Sequence, residues 1–412
     1  MTQTPVATPL VPVHRSRWLV LTGFALLVAC SQVLWLSVAP ITGQAAGALA
    51  VSEGAIGDLA VINPIMYVLL AIPAGRWMDR RFVAALATGA ALTAIGAALR
   101  AAAPASYTWV LVGQVVMSVG QPLVLNASTK IAARYFRPSE RTAAISVASA
   151  AQFVGILVAA LSREPLMAAG GLRLVFTTDA AVTVVAALAV LVAGRVPASF
   201  ATEPTRATSL GWLRHDRLLW KLAALLFVGV GIFNAVATWL DPILADVGHP
   251  GAGGALIALM TVTGIVGAAV LPTAAARHDR RRALMVTTTV ASVLTFLAVA
   301  VVPDLRFASF ALAIEGFFLL ACLPVALDWS ELEAGPTRAS TATGFLLLAG
   351  NLGGAMLVLV VQAFIAHPHL ALVAIAALAV PGVLVASRLP DHARSHLDDE
   401  VPASGTAAKD MV

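Results

Sequence analysis

Residues 73–81 read Pro-Ala-Gly-Arg-Trp-Met-Asp-Arg-Arg, and residues 272–282 read Pro-Thr-Ala-Ala-Ala-Arg-His-Asp-Arg-Arg-Arg. Each is a proline, a short gap, an aspartate and a basic run, and each closes a long apolar segment. Counted in apolar segments the two copies lie six apart, so the chain is built from two related halves. Other pairs share that offset. The fifth segment carries Gln152-Phe-Val-Gly155 and the eleventh Asn351-Leu-Gly-Gly354, each an amide with glycine three residues on. The first and seventh meet a proline near their ends, at Pro40 and Pro242, with an amide eight residues before, at Gln32 and Asn234. Repeated halves of this kind mark membrane transporters, with the substrate site between them near mid-membrane.

Composition agrees. The 412 residues are 59% hydrophobic and 11% charged, whereas a soluble domain carries about 25% charged residues. A span needs about 20 apolar residues. Twelve are read: Trp18–Val38, Ala55–Gly75, Val83–Ala102, Tyr107–Ile131, Thr142–Leu161, Leu172–Ala193, Leu218–Asp241, Gly254–Pro272, Leu284–Val302, Phe307–Leu327, Ala339–Val361 and His369–Ser387. The expected fold is an all-α membrane protein with about twelve helices in two pseudo-symmetric six-helix halves. The expected divisions are an N-tail (1–17), a first half (18–193), a linker (194–217), a second half (218–387) and a polar, disordered C-tail (388–412). The first 17 residues are polar and Pro-rich, so no cleavable signal is expected there.

The net charge of +5 does not indicate nucleic acid, because the basic residues cluster in short segments between spans. If the N-terminus is cytoplasmic, the outer segments keep only Arg100, Arg163, Arg173 and Arg306. That asymmetry orients a chain with both termini inside, and the expected location is the plasma membrane. Cys30 and Cys322 lie within apolar runs and read as small core residues. No metal cluster, cofactor motif or nucleophile–base motif is present, so neither enzyme nor cofactor is expected. His215, His249, His278, His367 and His369 fall in or near loops and read as solvated.

On Gly75-Arg-Trp-Met-Asp79-Arg80-Arg81 and its variant copy around Asp279, the chain resembles the major facilitator superfamily, which implies a monomeric transporter. A narrower resemblance is to the feline leukaemia virus subgroup C receptor-related branch, which includes choline and ethanolamine transporters and proteins proposed to carry haem. It rests on residues 32–40, 51–57 and 71–75, Gly113-Gln114, residues 152–155, and residues 316–324. The branch lines its cavity with a first-helix tryptophan and with glutamines of the fifth and eleventh helices. Trp35 and Gln152 match; Asn351 is a shorter amide. Asn234 stands where the branch often has tyrosine. The aromatic cage is therefore thinner than a quaternary ammonium requires. Asp328, Glu331 and Glu333 are also spaced differently from the branch.

Amides within spans need partners, because hydrocarbon offers none. Gln152, Asn351, Gln32 and Asn234 are read as substrate-binding, with Trp35 on the same helix face as Gln32. Gln114 and Asn126 read as helix–helix glue. Carboxyls at membrane depth mark function by default, so Glu315 and Asp179 are candidates to bind a proton or coupling cation. Asp241 and Asp328, near span ends, read as solvated. Asp79, Arg80, Arg81 and Asp279 read as a gate, pairing with helix ends and the other half in one conformation only. The expected function is alternating-access transport of a small organic solute; the alternative is proton-coupled efflux of drugs or a secondary metabolite. Expected partners are the substrate, the bilayer and protons.

Overall fold

The computed structural model describes residues 16–200, 210–246, 248–249, 252–302, 304–364 and 367–392, apart from the side chains of Asp241 and Asp246. Most of both tails and the middle of the linker lie outside the described residues.

The elements, in order, are α1 (Arg17–Trp35), α2 (Thr42–Leu49), α3 (Glu53–Arg80), α4 (Phe82–Ala102), α5 (Tyr107–Leu125), α6 (Ser128–Tyr135), α7 (Pro138–Ala193), α8 (Gly211–His215), α9 (Arg217–Asp246), α10 (Ala252–Arg277), α11 (Arg281–Val301), α12 (Leu305–Leu319), α13 (Cys322–Gln362) and α14 (Pro368–Ser387). Among the described residues, ten continuous helical stretches are long and apolar enough to cross a membrane. Two of them turn back midway, at Gly170-Gly171 in α7 and at Gly335 in α13, which makes twelve crossings. Gly171 (φ 62°, ψ −164°) and Gly335 (φ 70°, ψ 167°) occupy a backbone region essentially closed to other residues. Pro336 follows the second turn at the start of the next arm, where its missing N–H costs nothing.

Local chemistry sets the helix starts. The Ser52 hydroxyl accepts from the Ala55 amide at 3.2 Å, the Asp304 carboxylate from Phe307 at 2.8 Å, and Asp216 from Leu218 and Leu219 at 3.0 and 2.9 Å. Each side chain satisfies amides that the first helical turn leaves free. The first span was expected to reach Val38 but stops at Trp35. Pro40, with no N–H to give, diverts the chain into a short 3-10 turn, Ala39–Ile41, before α2.

The repeat is visible in three dimensions. The fourth span breaks between α5 and α6, and the tenth between α12 and α13. Gly155 packs so closely on the first span that an added Cβ would lie 2.8 Å from Gln32 Cβ. Gly354 packs likewise against the Asn234 side chain on the seventh. Both glycines let an amide-bearing helix approach its partner, the first span in one half and the seventh in the other, and the two pairs lie six spans apart.

The described chain ends, near Arg17 and Arg388, share one face, here the terminal face. Arg17 pairs there with Glu140 at 2.9 Å, and Lys221 donates to the Arg388 carbonyl at 2.5 Å. The hydrophobic packing is lopsided. Toward the terminal face one core runs through both halves, from Val20 and Phe24 to Leu346 and Leu389. Toward the far face it divides. One core, around Ile41, Ile56 and Phe176, belongs to the first half, and another, around Ile232, Phe296 and Ile375, to the second. The halves form a V, closed at the terminal face and parted at the far face.

Two arginines expected at the outer surface are buried. Arg100 donates to the Leu34 carbonyl (3.0 Å), Gln114 Oε1 (3.1 Å) and the Ser37 hydroxyl (2.6 Å), and its guanidinium lies 4.6 Å over the Phe176 ring. Arg163 pairs with Asp179 at 2.7 Å. Both pin the first half internally, Arg163 through a counter-charge and Arg100 through neutral acceptors and an aromatic face. Gln114 also donates to the Leu59 carbonyl at 2.9 Å, and Asn126 accepts from Tyr67 at 2.5 Å while donating to Ala71 at 2.8 Å. Both join helices.

Candidate functional site

A cavity of about 680 Å³ lies in the V between the halves, within the usual size for small-molecule sites. Trp35, Gln32, Gln152, Asn234 and Asn351 all line it. The wall carries no Asp, Glu, Lys, Arg or His among the described residues. Its polar groups are amides and hydroxyls, and its aromatic faces are Trp35, Phe153 and Phe233. Phe153 and Phe233 meet edge to face across the halves, with centroids 6.3 Å apart.

The amides differ in how free they are. Asn351 donates to the Leu347 carbonyl one turn back at 2.8 Å, and Gln32 contacts the Ser31 hydroxyl at 3.4 Å. The Trp35 indole N–H donates to the Ala60 carbonyl at 2.8 Å, which fixes its ring against α3. Two lining amides were not singled out in the sequence, Asn63 and Gln121. Asn63 is 1% exposed, and its side-chain oxygen has no hydrogen-bond partner. Buried polar atoms are nearly always paired, so this oxygen, covered by the protein beside the cavity, is an exception among the described residues. Neither amide had a symmetric counterpart in the repeat to draw attention to it.

The two intramembrane carboxyls have different settings. Asp179 is consumed by Arg163 inside the first half and does not line the cavity. Glu315 on α12 is 0% exposed, and one of its oxygens accepts from Ser292 at 2.5 Å while the other has no partner. It too lies behind the cavity wall, to which Leu319 and Leu320, the next turn of the chain, contribute.

At the terminal face the cavity is shut by polar contacts between halves. The Asp79 carboxylate accepts from Lys130 Nζ (2.9 Å), the Ser340 and Thr341 amides (3.1 and 3.0 Å) and the Thr341 hydroxyl (2.6 Å). The Thr129 and Thr343 hydroxyls meet at 2.7 Å. Arg141 pairs with Glu331 at 2.8 Å. Asp328 accepts from Thr142 at 2.6 Å and from Arg281 at 2.7 Å.

This arrangement corrects two expectations. Asp328 is not solvated; it is 3% exposed, because the hairpin of α13 tucks its acidic residues beneath the first half. Asp279 does not reach the other half: its partners are Arg281 at 3.6 Å and His392 at 2.6 Å, both in its own half. The side of the seal opposite Asp79 is carried instead by Asp328 and Glu331. Arg80 and Arg81 are exposed and belong to no ion pair among the described residues. The side chain of Asp241 lies outside the described residues.

Gly75 sits where α3 crosses α13, and a Cβ there would come within 2.7 Å of the Ser340 carbonyl and Thr341 Cα. Backbone cannot yield cheaply, so Gly75→Val is expected to wedge the seal open. The check is labelling of a cysteine introduced at Thr129, which should react with a thiol reagent from the terminal side in the variant and stay protected without it.

The Major Facilitator Superfamily profile matches residues 20–358. Solute carrier family 49 member A3 of Danio rerio is 29% identical over 384 residues, covering 87% of this chain and 80% of the relative. The choline/ethanolamine transporter FLVCR2 of Homo sapiens is 23% identical over 385 residues, covering 85% and 72%. Among solved structures, the transporter FucP in the outward conformation superposes with a TM-score of 0.73 at 15% identity over 90% of this chain and 99% of that one. A bacterial homologue of the iron transporter ferroportin in an outward-facing state gives 0.74 at 14% identity, over 91% and 99%. At such identities the solved structures speak for the fold alone. The profile, the relatives matched over most of their length and the two-half V around a central cavity agree: the chain belongs to the major facilitator superfamily, and is a multi-pass membrane transporter.

Proposed function

We propose that this protein moves a small hydrogen-bonding organic solute across the plasma membrane by alternating access, with Trp35, Gln32, Gln152, Asn234 and Asn351, joined by Asn63 and Gln121, as its binding residues. The observation that carries this reading is the amide-lined cavity between the halves, shut at one face and parted at the other. The excess of arginine on the terminal face favours a cytoplasmic setting for it, so the V opens to the exterior. Asp79, Lys130, Asp328 and Glu331 form the inner gate, and its release lets the halves rock about the bound solute.

The wall chemistry narrows the solute. With no ionic side chain to neutralise it, a carboxylate or phosphate substrate would be desolvated unpaired. A protonated primary amine suits the wall better: its N–H groups can donate to the amide oxygens that line the cavity, while an aromatic face stabilises the charge. A quaternary ammonium has no N–H to give. The similarity to a choline/ethanolamine transporter directs the test to ethanolamine. Titration calorimetry of the purified protein should detect ethanolamine and give weaker or no heat with choline. Choline binding tighter than ethanolamine would reverse the substrate reading, and no response to either would remove it.

A second reading, proton-coupled efflux, has one specific observation behind it. Glu315 is buried with a single hydroxyl partner and no basic one among the described residues, a setting suited to carrying a proton. Asp179, already paired, is a structural charge. In proteoliposomes, Glu315→Gln should abolish the response of transport to an imposed pH gradient while leaving binding intact. Gradient-driven transport equal to that of the unsubstituted protein would exclude Glu315 from coupling.

A further inference from the structure

Apart from the central cavity, the terminal face carries a small notch at the seam between the halves. Arg76 and Arg80 of α3, Trp212 of α8 and Arg338 of α13 line it, with Asp79 and Thr341 at its floor. Arg76 and Arg80 are one helical turn apart on the first half, so they share a face. Arg338 belongs to the second half, and its guanidinium lies 5.0 Å over the Trp212 ring. None of the three guanidiniums is in an ion pair among the described residues. Asp79 does not neutralise them, because its two oxygens are committed to Lys130, Ser340 and Thr341. Three like charges that converge without a counter-charge among the described residues repel one another, so the notch gains from an anion.

Size and level point to the kind of anion. The free space, about 20 Å³, admits one oxygen-sized group at the floor, which excludes a bulky organic anion held whole. A phosphoryl group fits: one oxygen enters while the others stay at the rim for the forked donors of arginine. Trp77, beside Arg76 in sequence, is 38% exposed, and Trp18 and Trp220 are also exposed near this face. Exposed tryptophans at span ends mark the depth of the lipid headgroups, so the notch lies at the level of lipid phosphates.

We propose that this notch binds the phosphoryl group of an anionic lipid, and that the bound phosphate, held by Arg76 and Arg80 from one half and Arg338 from the other, favours the state in which the terminal face is sealed. This is independent of which solute occupies the central cavity.

The test uses the full chain in lipid nanodiscs, with spin labels at Ser139→Cys and Arg277→Cys, exposed positions on opposite halves of the terminal face. Cys30 and Cys322 are replaced by alanine. The inter-label distance distribution reports the sealed fraction. Adding phosphatidylglycerol to phosphatidylcholine discs should shift the ratio of sealed to open on the order of tenfold toward sealed. In the Arg76→Gln/Arg338→Gln variant the shift should vanish, while Arg137→Gln, an exposed arginine of the same face outside the notch, should keep it. Arg76→Lys, which retains charge but not the fork, should respond partially and guards against the double variant failing to fold. An unchanged distribution with phosphatidylglycerol, or an equal response in the double variant, would overturn the proposal. An equal shift from inorganic phosphate in phosphatidylcholine discs would overturn the lipid as the source and assign the notch to free phosphate.

Discussion

Replacing Asp79 by alanine should unseal the terminal face. The carboxylate collects four donors from three residues, and two of them, Ser340 and Thr341, belong to the other half. Hydrogen bonds to a charged group contribute about 1.5–3 kcal/mol each. Losing the cross-half set, with partial rearrangement, removes on the order of 3 kcal/mol from the sealed state, which corresponds to about a hundredfold change in a two-state ratio. Lys130 adds to the effect: its side chain is 2% exposed, and an unpaired buried ammonium is strongly unfavourable. Inter-label distances between Ser139→Cys and Arg277→Cys should lengthen in Asp79→Ala. Asp279→Ala serves as the contrast, because that carboxylate contacts only its own half and its loss should leave the distances unchanged. Identical distributions in Asp79→Ala and the unsubstituted protein would show that the seal does not depend on this residue.

The second large effect belongs to the cavity. Trp35→Ala removes one of three aromatic faces, and a desolvated cation–π contact is worth about 2 kcal/mol, so ethanolamine should bind about thirtyfold more weakly. Gln152 has no hydrogen bond of its own among the described residues and is therefore free to serve a ligand. Gln152→Ala should weaken binding about tenfold or more if its partner is charged. Trp35→Phe keeps a ring and should lie between the native protein and Trp35→Ala. Gln114→Ala should behave in the opposite way. It strips a partner from buried Arg100 and the bond to Leu59, so it should lower the melting temperature with little effect on the affinity of the protein that remains folded. Titration calorimetry and thermal melts separate the two. Affinities within twofold of the native value in both Trp35→Ala and Gln152→Ala would move the binding site elsewhere.

The repeat and the apolar runs made the architecture legible, because each half repeats its prolines and amides at corresponding places. Four of the five binding candidates were legible for the same reason, together with the principle that an amide in hydrocarbon needs a use; Trp35 came from the family resemblance and from its shared helix face with Gln32. The seal between the halves was half legible. Asp79 stood out beside its arginines, but its partners did not. Lys130 ends an apolar run that was counted as a span, and Ser340 and Thr341 offer backbone amides, which carry no sequence mark. Asp328 and Glu331 seemed to belong to a loop, since nothing in linear order shows that the turn at Gly335 folds them under the other half. Arg163 and Asp179 are 16 residues apart but meet across the turn at Gly170-Gly171, so the aspartate looked like an unpaired charge. Asn63 had no symmetric counterpart, and only the packing of the folded chain brings it to the cavity wall.

The most direct test of alternating access through this seam is to lock it. The Thr129 and Thr343 hydroxyls touch at 2.7 Å across the halves, so Thr129→Cys/Thr343→Cys, with Cys30 and Cys322 replaced by alanine, places two thiols in register for oxidation. The measurement is ethanolamine binding and ethanolamine uptake into proteoliposomes, before oxidation, after it, and after reduction. The account predicts that the oxidised protein binds ethanolamine but does not carry it across, and that reduction restores uptake. Uptake that continues with the disulfide in place would contradict it.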